Sequence, residues 1–485
     1  MSIAFVPVYV RYLGIEAYGL VGIFTMLQTC VALLDAGITP TLSRELALSQ
    51  AGVRSVQATR DLVFTAEVLY LFIISTITIG LYVAAPLLVT HWIQANKLPP
   101  ITVTHALRIM AVVLGMRCLT SLYRGAYIGL QRQIWLNACA SIFSTLRGLG
   151  AVGLLVWISP TIWAFFLYQG ILAALEAAVM GIQLRRILPK PHSPPRFSME
   201  RLFEVWRFAA GMTALTLLAT MLTQFDKLLL SKLLPLSTFG YYIIASSVAG
   251  ALYLLVGPIA NASYPQFTEF VARGDQSGLA VAYHKFAQTT SIVVVPATLV
   301  LALFSRRLLL VWTRDPVIAD AAWPLVSVLA FGNMLHGLMH TPYTLQLAFG
   351  RTRLNIIVNA VAAVLLLPAI YVAVKLYGAI GAAAVWVILN LGYVLIATPI
   401  MHRTLLTGEM WHWYRRDLLA PFGVTLAAVG TLALLSPPAS QESSTHNILL
   451  LVLATFTAVA SAAVATPLGR HEMGATFRRV RLLLR

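Results

Sequence analysis

LGIEAYGL at Leu13–Leu20 and LPLSTFGY at Leu234–Tyr241 are two versions of one stretch, and each runs straight into a long apolar span. The spacing recurs further along the chain. GLQRQIWLN (Gly129–Asn137) is matched by AFGRTRLN (Ala348–Asn355), and Leu184-Arg185-Arg186 by Met401-His402-Arg403. The offsets from 13 to 234, from 132 to 351 and from 186 to 403 are 221, 219 and 217 residues. Three landmarks in nearly one register mark an internal repeat. A repeat holding an even number of spans returns each copy in the same orientation, the parallel two-lobed plan of many secondary transporters.

Composition points to a membrane independently of the repeat. Hydrophobic residues make up 59% and charged residues 11%, with a mean hydropathy of +0.82, whereas soluble domains run at roughly 25% charged. The chain is therefore not a soluble protein. About 20 apolar residues cross the hydrocarbon core as a helix. Thirteen stretches qualify, near 18–40, 62–93, 106–128, 134–157, 161–183, 207–230, 239–262, 286–312, 322–348, 354–376, 379–401, 417–436 and 446–467. Met1–Val10 is apolar but half a span long, without a basic leader or a small-residue cleavage site, and reads as the tail of a truncated first helix. The expected fold is an all-α membrane protein of about 14 transmembrane helices. Residues 1–183 form an N-lobe, 184–206 a cytoplasmic linker, 207–404 a C-lobe, and 405–485 a terminal helix pair with a basic tail. The linker is the longest polar stretch, and the terminal pair has no counterpart in the repeat.

The net charge of +17 is large enough to suggest nucleic acid, but its distribution argues otherwise. With a cytoplasmic N-terminus, segments on the inside carry 23 Lys and Arg and those on the outside 9, with Arg117 and Arg147 left within spans. That bias follows the positive-inside rule and places both termini in the cytoplasm. Basicity here is a topology signal and an attraction to lipid headgroups, so membrane lipids are expected partners and nucleic acid is not. Cys30, Cys118 and Cys139 lie in apolar spans without metal-ligand spacing, which excludes a disulfide framework or a zinc site.

Polar groups that sit in hydrocarbon at a cost mark the candidate site, since a charge at the bilayer centre costs about 2.5–3.5 kcal/mol on insertion scales. Arg147 lies near the middle of its span. Asn137, Ser141 and Ser144 precede it at helical spacing and give that helix a polar face. In the preceding span Arg117 and Arg124 are seven residues apart, two turns along one side. Arg117, Arg124, Arg147, Asn137 and Ser144 are thus the candidate substrate-binding residues. A structural reading stands beside this one: Arg124 ends its helix and Arg147 is neutralised by Glu176 on the next. Asp35, Glu67, Glu176 and Asp226 are candidates for proton coupling or for structural ion pairs, Asp226 with Lys227 beside it. His336 and His340, one turn apart, suit proton handling or polar packing. Without a carboxylate nearby they do not make a metal site, and no cofactor is expected. Prolines at 40, 86, 258, 296, 324, 342, 368 and 399 fall in or beside spans, where each favours a kink.

The residues also carry a family resemblance. PVYVRYLGIEAYGLVGIFTMLQTCVALLDAGITPTLSRELA (Pro7–Ala47) resembles the opening of the O-antigen type polysaccharide flippases of bacterial surface-glycan pathways. QFDKLLLSKLLPLSTFGYY (Gln224–Tyr242) resembles the start of their second lobe. YRGAYIGLQRQ (Tyr123–Gln133), and PQFTEFVARGD (Pro265–Asp275) followed by Pro296 and the LLLVW run ending at Trp312, are further matches. These flippases belong to the multidrug, oligosaccharidyl-lipid and polysaccharide exporter superfamily. The resemblance implies two six-helix lobes around a V-shaped cavity, alternating access, and a bacterial inner-membrane location. The implied substrate is an undecaprenyl-diphosphate-linked oligosaccharide, with polysaccharide polymerase and chain-length enzymes as pathway partners. The implied anion meets the charge reading, because guanidinium groups bind a diphosphate bidentately. Trp163, Phe166 and Tyr168 then serve either to stack on sugars or to anchor the helix at the interface.

Two alternatives define what the site must exclude. A multidrug cation antiporter of the same superfamily needs an acidic or apolar cavity, which arginines contradict. A glycan polymerase or ligase needs acid and base residues on a sizeable outer loop. The largest such segment, near Arg306–Asp320, has no His or Ser constellation, so no enzymatic activity is expected.

Overall fold

A computed structural model of the chain describes residues 3–35, 38–52, 55–188, 193–199, 217, 220–351, 353–439 and 443–472. Among these the regular elements are helices, apart from a single β-bridge between Gln94 and Pro235. Ten helices are long and apolar enough to cross a membrane, with the shorter apolar helices Ile3–Leu13 and Ile15–Val31 beside them. Of the span expected at 207–230, residues 217 and 220–230 are described and the rest lie outside the described residues, as do 189–192 and 200–206 of the linker at 184–206. Elsewhere most of the expected spans appear with shifted bounds, whereas the stretch expected at 18–40 is divided between the helices Ile15–Asp35 and Ile38–Gln50. The stretch expected at 286–312 stops at Leu303, and Ser305–Thr313 forms a separate helix whose Arg307 donates to the Pro437 carbonyl at 2.5 Å. The stretches at 354–376 and 379–401 run on as one long helical segment, turned at Gly378 by a backbone of φ 61° that a side chain would strain. Helix starts follow capping chemistry: Ser55, Thr161, Asp275 and Ser443 each accept a backbone N–H of the first turn.

The chain divides into two compact units, Met1–Gly240 and Tyr241–Arg485. In the first, Pro100–Gly129 is the central helix, packed between Val56–His91, Ile38–Gln50 and Ile162–Ile187. Its core side includes Leu122, Tyr123 and Tyr127, which pack with Tyr70, Phe143 and Met180. Close approach fixes its position. A Cβ on Gly125 would fall 2.6 Å from the Thr39 methyl and 2.8 Å from the Thr39 carbonyl oxygen, so only glycine lets the Ile38–Gln50 backbone lie against this helix. The two repeated openings also meet within this unit. A Cβ on Gly19 would sit 2.6 Å from the Leu236 carbonyl oxygen, and one on Gly240 2.6 Å from that of Ile15.

The second unit has its own core, with Val256, Phe267, Tyr283, Val294, Met334 and Trp413 fully or nearly buried. The last two helices pack beside Gln276–Leu303 through a seam of Val300, Phe304, Val429, Ala454 and Ala458. Alanines at 454, 458 and 462 recur every four residues and are completely buried, which lets the helices approach closely. Leu449, Val452, Leu453 and Phe456, on the same final helix, remain exposed. An apolar face of this kind on a chain with ten apolar helices is the face that hydrocarbon covers.

Candidate functional site: an arginine-lined cavity

Pro100–Gly129 carries both Arg117 and Arg124. Arg147 comes from the next helix, at a π-helical turn over Leu146–Gly150 that interrupts the α-helix begun at Gln133. Together with Gln28, Ser121 and Glu176 they line a cavity of about 170 Å³ within the first unit. Glu176 is 1% exposed, ion-paired with Arg147 and 3.7 Å from Arg124. Arg117 has a different set of partners. Its guanidinium donates to Gln28 Oε1 at 2.7 Å and to Gln169 Oε1 at 3.3 Å, and it lies 5.2 Å from the centre of the Phe24 ring. The cavity therefore holds three guanidinium groups and one carboxylate, which Arg147 and Arg124 share. With all four groups ionised the lining carries a charge of +2, and the Nε of both Arg117 and Arg147 is buried without a hydrogen-bond partner. Such a lining can take an anion with several acceptor oxygens through charge-assisted hydrogen bonds.

The other expected site residues fall elsewhere. Asn137 and Ser144 are exposed and outside the cavity lining. Glu67 pairs with Arg185 at 3.4 Å, and Asp226 with Lys227 at 3.3 Å. Asp35 ends its helix with a side chain outside the described residues. His336 and His340 belong to the second unit, where their rings meet edge-on at 5.2 Å and His336 also faces Tyr253 and Trp386. Among the described residues no three of His, Cys, Asp or Glu converge to hold a metal. Phe166 is completely buried against Phe24 and Phe165, which rules out stacking on a sugar in this conformation. Tyr168 donates to the Leu146 carbonyl at 2.8 Å and so braces the π turn that carries Arg147. Gln28 and Gln169 are members of the site that reasoning from charge overlooked; each is an amide in an otherwise apolar stretch, and that was the available signal.

With the geometry in place, comparison with known proteins decides the family. The family model described as polysaccharide biosynthesis protein matches residues 1–271, more than half of the chain. The chain belongs to the polysaccharide biosynthesis protein family. A putative O-antigen transporter of Shigella flexneri is 20% identical over 391 residues, 78% of this chain and 87% of that protein. The lipopolysaccharide biosynthesis protein WzxC of Escherichia coli (strain K12) is 23% identical over 235 residues, 47% of this chain and 46% of the relative. Among solved structures, an inward-facing multidrug resistance MATE family transporter of the MOP superfamily superposes with a TM-score of 0.69 at 14% identity, over 82% of this chain and 92% of that one. An outward-facing structure from the same transporter family gives 0.55 at 15% identity, over 82% of this chain and 90% of the other. This member of the polysaccharide biosynthesis family is thus a multi-pass membrane protein with a MOP-type helical fold, of a transporter family and not an enzyme.

Proposed function

We propose that this protein flips an undecaprenyl-diphosphate-linked oligosaccharide from the cytoplasmic to the outer leaflet of the bacterial inner membrane, for surface polysaccharide synthesis. The observation that carries the reading is the cavity holding Arg117, Arg124 and Arg147 against the single carboxylate of Glu176. A diphosphate brings the opposite charge and enough acceptor oxygens to engage several guanidinium groups. It competes with Glu176 for Arg147 and satisfies the Nε groups of Arg117 and Arg147. A multidrug cation is repelled by the same lining. The Shigella relative, described as a putative O-antigen transporter, supports the same substrate class.

In this reading the spans form a 14-helix plan of an N-lobe at 1–183, a linker at 184–206, a C-lobe at 207–404 and a terminal pair at 405–485, with both termini in the cytoplasm. The arginines receive the diphosphate on the cytoplasmic side. Charge neutralisation then lowers the cost of closing the cavity around them, so substrate itself biases the conformational equilibrium. Polymerase and chain-length enzymes act on the delivered glycan. The test is the leaflet distribution of the lipid-linked oligosaccharide in cells lacking the gene, supplied with wild type or with Arg147→Ala. Accumulation on the cytoplasmic side that only wild type clears supports the assignment. Normal crossing in the absence of the protein removes it for that lipid.

A further inference from the structure

The second unit holds a group of titratable side chains that the anion cavity does not use. His284, Gln288 and Ser291 follow one another at spacings of four and three, one stripe of the Gln276–Leu303 helix. That stripe faces Asp417, in the π-helical turn Trp413–Leu419 that leads into the terminal helix pair. Asp417 is 1% exposed. One of its carboxylate oxygens accepts from Gln288 Nε2 at 2.9 Å, the other lies 2.5 Å from His284 Nδ1, and its backbone carbonyl accepts from the Ser291 hydroxyl. The second ring nitrogen of His284, Nε2, lies 3.0 Å from Glu409 Oε2, and the same Glu409 oxygen lies 3.0 Å from His412 Nδ1.

Both nitrogens of His284 therefore face carboxylate oxygens. A neutral imidazole has one N–H, so one of these contacts would set a ring lone pair against a carboxylate lone pair. With both carboxyl groups ionised, both become hydrogen bonds only when the ring carries its second proton. The chain Asp417, His284, Glu409, His412 also runs from a fully buried group to one whose side chain is 53% exposed, which gives that proton a route to water. Glu409 lies outside the spans. Burial pushes its carboxyl up, but the hydrogen bonds and charges of His284 and His412 outweigh this and hold it below the usual carboxylate range. The remaining titratable neighbours do not replace the proton. His402, on Thr398–Leu405, engages the Thr398 carbonyl through Nδ1 and has a buried Nε2 without a partner, and Tyr283 meets the His284 ring edge-on. Among the described residues, the ion pairs of Asp417 and Glu409 are with histidines alone.

We propose that His284, with Asp417, Glu409 and His412, forms a proton-binding site that fastens the start of the terminal helix pair to the Gln276–Leu303 helix. The apolar seam of Val300, Phe304, Val429, Ala454 and Ala458 holds the same elements together further along, and the proton site controls the polar end of that junction. Titrating the proton away at alkaline pH releases the Glu409–Leu419 segment while the apolar seam keeps its packing.

The test uses full-length protein in nanodiscs with ¹⁵N-labelled histidine. The His284 signals, assigned by their loss in His284→Gln, are expected to show a doubly protonated ring at pH 7.5; a neutral ring there overturns the proposal. Glu409→Gln keeps a hydrogen-bond acceptor at the half-exposed position and is expected to weaken proton binding at His284 by about tenfold, as removal of one of two facing carboxylates should. An unchanged titration midpoint in that variant overturns it equally. Hydrogen exchange of residues 405–419, corrected for intrinsic rates, is expected to quicken between pH 6.5 and 9 in wild type and to be fast at both in Asp417→Asn. Exchange that is slow at both pH values in wild type contradicts the latch.

Discussion

Replacing Arg147 with Ala removes the closest partner of a carboxylate that is 1% exposed. Breaking a buried ion pair by deleting one member typically costs about 3–5 kcal/mol, because the remaining charge is left uncompensated. Arg124 stays 3.7 Å from Glu176 and offsets part of the loss, which brings the expected cost to about 2–3 kcal/mol. At about 2 °C per kcal/mol for a large chain, the purified variant should melt roughly 4–6 °C below wild type. Reduced transport by this variant alone therefore has two explanations, lost folding and lost anion binding. The double variant Arg147→Ala/Glu176→Gln separates them. Removing the carboxylate's charge should return the melting temperature to within about 2 °C of wild type, while transport stays lost because the diphosphate still lacks its guanidinium. The assays are thermal melting of the purified protein and surface-glycan display in cells lacking the chromosomal copy. Recovery of both stability and display in the double variant would refute the reasoning and reduce Arg147 to a structural partner of Glu176.

Three further outcomes are expected. Arg117→Ala strands no carboxylate but leaves the amide oxygens of Gln28 and the buried Gln169 without this donor, so it should cost about 1–3 kcal/mol in melting and bind pyrophosphate about 10- to 100-fold more weakly in calorimetry, the value of one or two charged hydrogen bonds. Gly125→Leu forces side-chain atoms onto the Thr39 backbone and should cost about 1–3 kcal/mol by overpacking, with Gly125→Ala milder, as read by melting temperature. The Glu409 carboxyl is held below its usual range by His284 and His412, so its contribution to stability is present above the ordinary carboxylate pKa and is lost as pH falls through the lowered one. Melting curves from pH 5 downward should thus fall less steeply in Glu409→Gln than in wild type.

Most of the architecture was legible because hydrocarbon imposes a strong constraint on sequence. Apolar runs near 62–93, 106–128 and 161–183 reappear as Val56–His91, Pro100–Gly129 and Ile162–Ile187, since a spanning segment must satisfy its backbone internally and does so as a helix. Helix ends were less legible. The break at Leu303–Ser305 is not marked by loss of hydropathy, and Arg306 and Arg307 sit on a short helix that finds its own partners. Within the cavity, charge in an apolar run identified Arg117, Arg124, Arg147 and Glu176. The stripe drawn from Asn137 through Ser144 to Arg147 assumed an unbroken α-helical period. At about 100° per residue Arg147 already stands roughly 60° from Ser144 and 80° from Asn137, and it lies within the π turn at Leu146–Gly150, so Arg147 meets Glu176 while Asn137 and Ser144 stay on the open face. The His284 site escaped notice because its members are 125 and 133 residues apart and none stands out alone.

The central claim is that this cavity conducts a diphosphate-linked lipid across the bilayer, and flipping in reconstituted vesicles tests it most directly. Protein is placed in liposomes carrying undecaprenyl diphosphate oligosaccharide in both leaflets, and the fraction reached by an added membrane-impermeant glycosidase is followed with time. The account predicts that wild type exposes nearly all of the lipid, whereas empty liposomes and vesicles with Arg117→Ala or Arg147→Ala/Glu176→Gln stay near one half. Equal exposure with wild type and with both cavity variants would contradict it.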